Sequence, residues 1–118
     1  MDKDTLFNWI RETYGVEPDY PWFDDNAVVR HRSNKKWFGL VMTIPSSKVG
    51  LPTNENIDVL NIKLEPILIS SLHHQKGFYP AYHMNKTSWI TIDINSVAEY
   101  EIKMLLDMSY ELTRKVKK

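Results

Sequence analysis

The chain has 118 residues, no cysteine, and fifteen basic side chains balanced against fifteen acidic ones. This length predicts a single domain over residues 1–118, and 42% hydrophobic content supplies its core. The lack of cysteine excludes disulfides, thiolate metal sites and cysteine nucleophiles. No segment approaches the roughly 20 apolar residues that span a membrane, and a secretory signal is not evident, so we expect a cytoplasmic protein without a membrane partner. Because the net charge is zero, any polyanion would have to be held by a local patch.

The N-terminal segment is predicted to begin with a helix over residues 3–14, where apolar residues recur at helical spacing. Asp2 or Asp4 would cap its start, and Gly15 stands where a helix stop belongs. The following segment, residues 16–25, is acidic and contains two prolines, which predicts an ordered loop.

A hairpin is predicted next, with strands over residues 27–32 and 36–44 joined by a turn at 33–35. Strand alternation places apolar residues of the second strand on one face: Phe38, Leu40, Met42 and Ile44.

The C-terminal half is predicted to contain a third strand at 57–64, a short helix from 66 to about 74, and a fourth strand at 88–94. Ser96 and Glu99 have the spacing of a capping box, which predicts the start of a long last helix. Its core-facing stripe is expected to be Val97, Met104, Leu105, Met108 and Leu112. The basic residues 114–118 would complement the negative end of that helix.

The predicted fold class is α+β. Helix, hairpin, strand, short helix, strand and long helix follow one another along the chain. That order predicts a two-layer α/β sandwich, in which the N- and C-terminal helices pack on one face of an antiparallel sheet.

Enzyme chemistry has little support in the sequence. Tyr82 and Lys86 have the spacing of the short-chain dehydrogenases, but that chemistry needs a helix and a glycine-rich dinucleotide turn. Pro80 argues against the helix, and no Gly-x-Gly occurs. A triad built from distant positions stays open, as does a site centred on His83. We expect no catalytic residues and no enzyme activity.

The histidines do not have the spacing of a metal site. His73 and His74 are adjacent on a predicted helix, so their side chains diverge by about 100°. They are expected to complement the negative end of that helix instead. We therefore predict no metal and no cofactor.

The predicted hairpin is crowded with basic side chains: Arg30, His31, Arg32, Lys35 and Lys36. Strand alternation places Arg30 and Arg32 on one face, and Lys63 and Lys86 are expected to join them across the sheet, next to Trp37 and Trp89. Such a mixture suits phosphate contact combined with base stacking. Phosphate contacts are predicted for Arg30, Arg32, Lys35, Lys36, Lys63 and Lys86. Sugar or base contacts are predicted for Tyr82, His83, Asn85 and Trp89. The competing interpretation is a solvated hairpin whose arginines pair with the acidic segment 17–25, with Tyr82, Met84 and Trp89 covering one end of the core.

Segment 80–86, Pro-Ala-Tyr-His-Met-Asn-Lys, with Trp89 beyond it, resembles the signature segment of the MmcQ/YjbR family. Further blocks in the same order extend the resemblance over nearly the whole chain: residues 20–22, 29–31, 34–38, 58–63 and 106–110. The family is similar in fold to CyaY, the bacterial frataxin, so the resemblance implies the same sandwich. Family members are commonly labelled DNA-binding, from a proposed double-wing arrangement of strands.

The chain departs from the family pattern beside Trp89. Ala81 stands where many members have glycine, and Ser88 and Ile90 stand where histidine and asparagine are frequent, which makes the segment less polar. The frataxin-like fold invites an iron-binding interpretation. Frataxins have an acidic first helix, whereas Lys3 and Arg11 offset the acids here, so iron is not expected.

The leading hypothesis is a small cytoplasmic protein that binds nucleic acid, in particular DNA, weakly and in a salt-dependent way through a basic and aromatic sheet surface. The alternative is a non-catalytic module that binds a small anionic ligand or a protein partner at the 80–89 loop.

Overall fold

The computed structural model describes residues 1–114; residues 115–118, which hold most of the predicted basic helix end, lie outside the described residues. The elements in chain order are α1 (Lys3–Tyr14), β1 (Ala27–Arg30), β2 (Trp37–Pro45), a 3-10 turn (Ser46–Val49), β3 (Asn56–Lys63), α2 (Pro66–Leu72), β4 (Phe78–Pro80), β5 (Trp89–Asp93) and α3 (Glu99–Arg114). The strands form one antiparallel sheet in the order β1-β2-β3-β5-β4. The helices pack on one face of this sheet, so the predicted α+β sandwich is confirmed.

Strand β4 was not predicted, because it has only three residues and contains Pro80. Proline has no N–H to donate to a ladder and is therefore restricted to edge strands. Strand β4 is an edge strand, next to β5. The predicted loop after α2 is thus interrupted by a short paired segment before it crosses the sheet.

Helix α1 has the predicted bounds because both of its ends are set by neighbouring residues. The Asp2 side chain accepts a hydrogen bond from the Thr5 N–H at 2.8 Å. Gly15 adopts a left-handed conformation with φ 66°, and its N–H donates to the Arg11 carbonyl at 2.9 Å.

A bulge in β2 changes which side chains face the core. Arg30 pairs with Trp37, but the next pair is Val29 with Gly39, so Phe38 is an extra residue. Phe38 therefore turns under the helices, where it is fully buried. The prediction that it shares a face with the later apolar residues of β2 is wrong, since strict alternation does not hold across a bulge.

The prediction of a capping box at the start of α3 is also wrong. The helix begins at Glu99, three residues after the predicted cap. The Ser96 hydroxyl instead donates to the Asp93 carboxylate at 2.9 Å, and that carboxylate also accepts from the Asn95 N–H at 3.1 Å. Glu99 pairs with Lys103 at 2.8 Å. Asp93 thus organises a turn that delays the helix.

The buried face of α3 differs in part from the predicted stripe. Met104 and Met108 are 54% and 43% exposed, so their assignment to the core is wrong. The buried residues of the helix are Ile102, Leu105, Leu106, Ser109 and Thr113. Two of these are polar, which hid the true face from hydrophobic periodicity.

The sheet face that points away from α1 and α3, here called the open face, carries a second, smaller core. Its buried residues are Val28, Leu40, Met42, Ile44 and Val59. Loops cover them in place of helices. The most important cover is the segment 81–88, here called the strap, whose Tyr82 and Met84 pack on this core. No helix in the described part of the chain is long and apolar enough to cross a membrane.

Candidate nucleic-acid interface

The strap is held on the open face by buried polar groups of the central strands. The Asn61 side chain is fully buried, and its Nδ2 donates to the Tyr82 carbonyl at 2.9 Å. The Thr91 hydroxyl donates to Asn61 Oδ1 at 2.5 Å and accepts from the Tyr82 N–H at 2.9 Å. A buried amide left without such partners costs about 1–3 kcal/mol. Asn61 and Thr91 therefore fix the path of the strap.

The far end of the strap is a turn built by Asn85. Its Oδ1 accepts from the Thr87 N–H at 2.8 Å, and its carbonyl accepts from the Trp89 N–H at 2.9 Å. His83, just before this turn, has a left-handed φ of 64°. The Oδ1 atom of Asn85, a predicted base-contacting residue, is therefore occupied by the strap itself.

Three of the predicted contact residues lie on the open face in one line. Arg30 is the cross-strand neighbour of Trp37, and Lys63 is the cross-strand neighbour of Trp89. Residues directly opposite one another share a sheet face. All four side chains are partly exposed.

The two pairs lie at the same level of the sheet. Leu40 pairs with Asn61. Trp37 is three residues from Leu40 in the chain, but the extra residue in the bulge leaves it only two steps along the ladder. Lys63 is likewise two residues from Asn61. Trp37 and Lys63 thus stand side by side on β2 and β3. We call Arg30, Trp37, Lys63 and Trp89 the transverse row. It crosses four neighbouring strands, a distance of about 14 Å at the usual strand spacing.

Helix α3 supports the middle of the transverse row from beneath. The Lys63 N–H donates to the Ser109 hydroxyl at 3.0 Å, and that hydroxyl donates to the Phe38 carbonyl at 2.8 Å. The serine thereby bridges β2 and β3 where their direct pairing stops. The backbone beneath the row keeps its hydrogen bonds despite the bulge.

The two cations of the transverse row differ in whether they are already paired with a carboxylate. Arg30 forms an ion pair with Asp19, which is anchored through its backbone to Val28. The competing interpretation, that hairpin arginines pair with the acidic segment, thus holds for Arg30. Within residues 1–114, Lys63 has no ion-pair partner.

The remaining hairpin cations lie beyond the transverse row. Strand β1 ends at Arg30, so Arg32 belongs to the turn rather than to the strand, and Lys35 and Lys36 follow it; all three are exposed. Arg32 and Lys35 line a depression of about 630 Å³ that also contains Glu17 and Asp19. These cations therefore face carboxylates as well as solvent.

Lys86 belongs to the strap rather than to the transverse row. It lies with Lys48 and Tyr82 around a cavity of about 190 Å³, beside the 3-10 turn. The structure thus unites Arg30, Lys63 and Trp89 and places Lys86 in a second cationic cluster.

Sequence reasoning missed a groove next to the transverse row. This aromatic groove has a volume of about 310 Å³ and is lined by Trp22, Asn26, Trp37, Leu40, Met42, His83 and Met84. The rings of Trp22 and Trp37 meet edge to face at a centroid distance of 5.8 Å. The signal was present as Trp22-Phe23, two large aromatics inside a polar loop. Of the predicted residues, only His83 lines the groove.

The histidines are dispersed. His31 is only 3% exposed, and its Nε2 lies 2.8 Å from the Thr113 hydroxyl. Burial lowers the pKa of His31 below its ordinary value, because taking the ring out of water disfavours its charged form. His73 and His74 are exposed at the end of α2. In residues 1–114, no group of three or more potential metal-binding side chains comes together.

The comparisons with known proteins agree with one another. A family model described as YjbR matches residues 4–112. The Bacillus subtilis protein YyaQ, described as uncharacterised, is 38% identical over 117 residues, which is 97% of this chain and 99% of YyaQ. A Pseudomonas syringae protein is 40% identical; its crystal structure superposes with a TM-score of 0.93 over 96% of this chain and 99% of that one.

A Deinococcus radiodurans protein is 23% identical and superposes with a TM-score of 0.73. The match covers 95% of this chain and 78% of that chain, so the two share the fold. The resemblance to the MmcQ/YjbR family, first seen in segment 80–86, is therefore confirmed over nearly the full length of the chain. The chain belongs to the YjbR family.

Proposed function

We propose that this protein is a non-catalytic nucleic-acid-binding module that uses the transverse row as its contact surface. The supporting observation is the alternation of cation and indole across four strands: Arg30, Trp37, Lys63 and Trp89. Stacking of a base on an aromatic ring contributes about 1–3 kcal/mol and tolerates any base. Lys63 would contact a phosphate between the two indoles.

Binding by this surface is weak and falls with salt. The net charge is zero, and Arg30 is partly neutralised by Asp19. Two or three phosphate contacts give a log–log salt slope of about −2. Raising the salt from about 50 to about 200 mM then lowers the affinity roughly 16-fold.

The test is a titration of a fluorescently labelled DNA oligonucleotide, followed by anisotropy at these two salt concentrations. We expect Lys63→Ala to weaken binding and to reduce the salt slope by about 1. The matched control is Lys76→Ala, because Lys76 is exposed near the end of α2, away from the open face. The proposal fails if the wild type shows no salt-dependent binding, or if both variants lose affinity equally.

A second candidate function is the binding of a small anion at the other end of the strap. Lys48 and Lys86 line one small cavity with Tyr82 and form no ion pair within the described residues. Two neighbouring cations suit a phosphate or carboxylate group. Calorimetric titration with inorganic phosphate tests this candidate: Lys86→Ala should abolish the heat of binding, and Lys76→Ala should retain it.

A further inference from the structure

The aromatic groove continues the transverse row, because Trp37 belongs to both. Residues Trp22 and Asn26 form one side of the groove, and His83 and Met84 of the strap form the other. Leu40 and Met42 form its floor. A volume of about 310 Å³ is at the small end of ligand pockets. The groove is therefore a recess for one planar group beside a surface suited to bases.

Two residues at the groove have an unfavourable backbone conformation: His83, which lines it, and Phe23, the chain neighbour of the lining residue Trp22. Phe23, next to Trp22, has φ 59° and is 98% exposed. His83, on the strap, has φ 64° and is also exposed. Left-handed backbone is uncommon for large side chains and clusters at binding sites. Among residues 1–114 the ring of Phe23 makes almost no packing contact, so it is available to a ligand.

We propose that the nucleic acid is single-stranded and that the aromatic groove takes one unstacked base from it. This inference rests on the proposed function and names its substrate class. Trp22 and Trp37 supply aromatic surface, the thioethers of Met42 and Met84 supply polarisable contacts, and Asn26 supplies an amide for the edge of the base.

The shape of the open face favours a single strand over a duplex. The loop that carries Trp22 and the strap both lie over the open face, and residues of both line the groove. A paired base within a duplex cannot enter a recess between two loops. A single strand can lie along the row and turn one base into the groove, because its bases are free to splay apart.

The test compares a labelled single-stranded oligonucleotide with the duplex of the same sequence, again by anisotropy at low salt. We expect the single strand to bind at least tenfold more tightly. Trp22→Ala should weaken single-strand binding by about 5- to 160-fold, the value of one stacked base, and leave duplex binding unchanged. The matched control is Tyr100→Ala, since Tyr100 is an aromatic 77% exposed on the helix layer.

A second variant separates binding from folding. Phe23→Gly removes the ring and relieves the left-handed backbone, so its thermal unfolding midpoint should rise. Its affinity for the single strand should nevertheless fall. A loss of affinity in a more stable protein cannot be ascribed to unfolding. If Phe23→Gly binds the single strand as tightly as the wild type, Phe23 has no part in recognition and the proposed mode is contradicted.

The outcomes distinguish the inference from the function on which it rests. If duplex and single strand bind equally, and Lys63→Ala weakens both while Trp22→Ala weakens neither, the single-strand inference is overturned and the proposed function stands. If neither form of DNA binds, both are overturned. If a hydrophobic peptide perturbs the fluorescence of Trp22 and the oligonucleotide does not, the groove serves a protein partner and the inference is wrong.

Discussion

At the residue scale, buried polar side chains hold the site in place, and their roles are not evident from composition. Asn61 and Thr91 lie within predicted strands, yet only the structure shows that their side chains form hydrogen bonds with the strap. Asn85 was predicted to contact bases, but its Oδ1 closes a turn. The residue type shows which hydrogen bonds a side chain can form. Its actual partner depends on where the strap crosses the sheet, which the local sequence does not specify.

His31 makes the stability of the fold depend on pH. Burial is the main cause of its lowered pKa; the Tyr110 backbone and Glu111 oppose the shift, whereas Arg114 and Lys36 act in the same direction as burial. A histidine whose folded pKa lies below its unfolded value of about 6.5 contributes full stability above that value and loses it as the pH falls. We expect the urea midpoint to drop between about pH 7 and pH 5.

Two variants test this assignment. The pH dependence should largely disappear in His31→Gln, although that variant is less stable overall. It should persist in His74→Gln, because His74 is exposed. A steep acid decline that survives in His31→Gln would assign the effect to other groups.

At the element scale, a helix end is predicted correctly when the residues that set it are adjacent to it in the sequence. Helix α1 was predicted from end to end because Asp2 and Gly15 act on adjacent backbone. The start of α3 was wrong because Asp93, outside the helix, binds the Ser96 hydroxyl. The helix consequently begins without a side-chain cap, since Ala98 precedes Glu99 and accepts its first backbone bonds.

This missing cap can be supplied by substitution. Ala98 is exposed, and alanine is among the poorest residues at the position before a helix. We expect Ala98→Ser to raise the free energy of unfolding by about 1 kcal/mol, because its hydroxyl can accept from a free N–H of the first turn. Urea denaturation measures the change. Ala98→Leu, which offers no acceptor, is the control, and an equal gain in both variants would contradict the explanation.

At the scale of the whole molecule, periodicity was enough for the fold and insufficient for the site. Alternating strands and amphipathic helices specify two layers whatever the details of the loops. Of the residues expected to share one sheet surface, Arg30, Lys63 and Trp89 lie on the same face. Arg32 did not join them, because β1 ends before it. The pairing of loop 16–25 with the sheet and the path of the strap are long-range contacts, which the sequence pattern does not encode.

Replacing Asp19 changes the charge of the protein and releases Arg30 from its ion pair. Exposed ion pairs of this kind are worth up to about 1 kcal/mol, and Asp19 holds Arg30 away from any phosphate. If the transverse row binds DNA, Asp19→Asn should tighten binding by about two- to fivefold at low salt. Asp25→Asn changes the net charge identically at an exposed position of the same loop and should have a smaller effect. Equal gains in anisotropy titrations would mean that only net charge matters.

The extra residue in β2 separates the packing of the core from the register of the binding surface. With Phe38 inserted, Trp37 faces outward and Phe38 inward. Deleting Phe38 would restore regular alternation between Gly39 and Trp37, so Trp37 would keep its place opposite Arg30 on the open face. The core alone would lose a phenyl ring. The bulge therefore lets one strand supply an aromatic side chain to each layer without shifting the residues that face solvent.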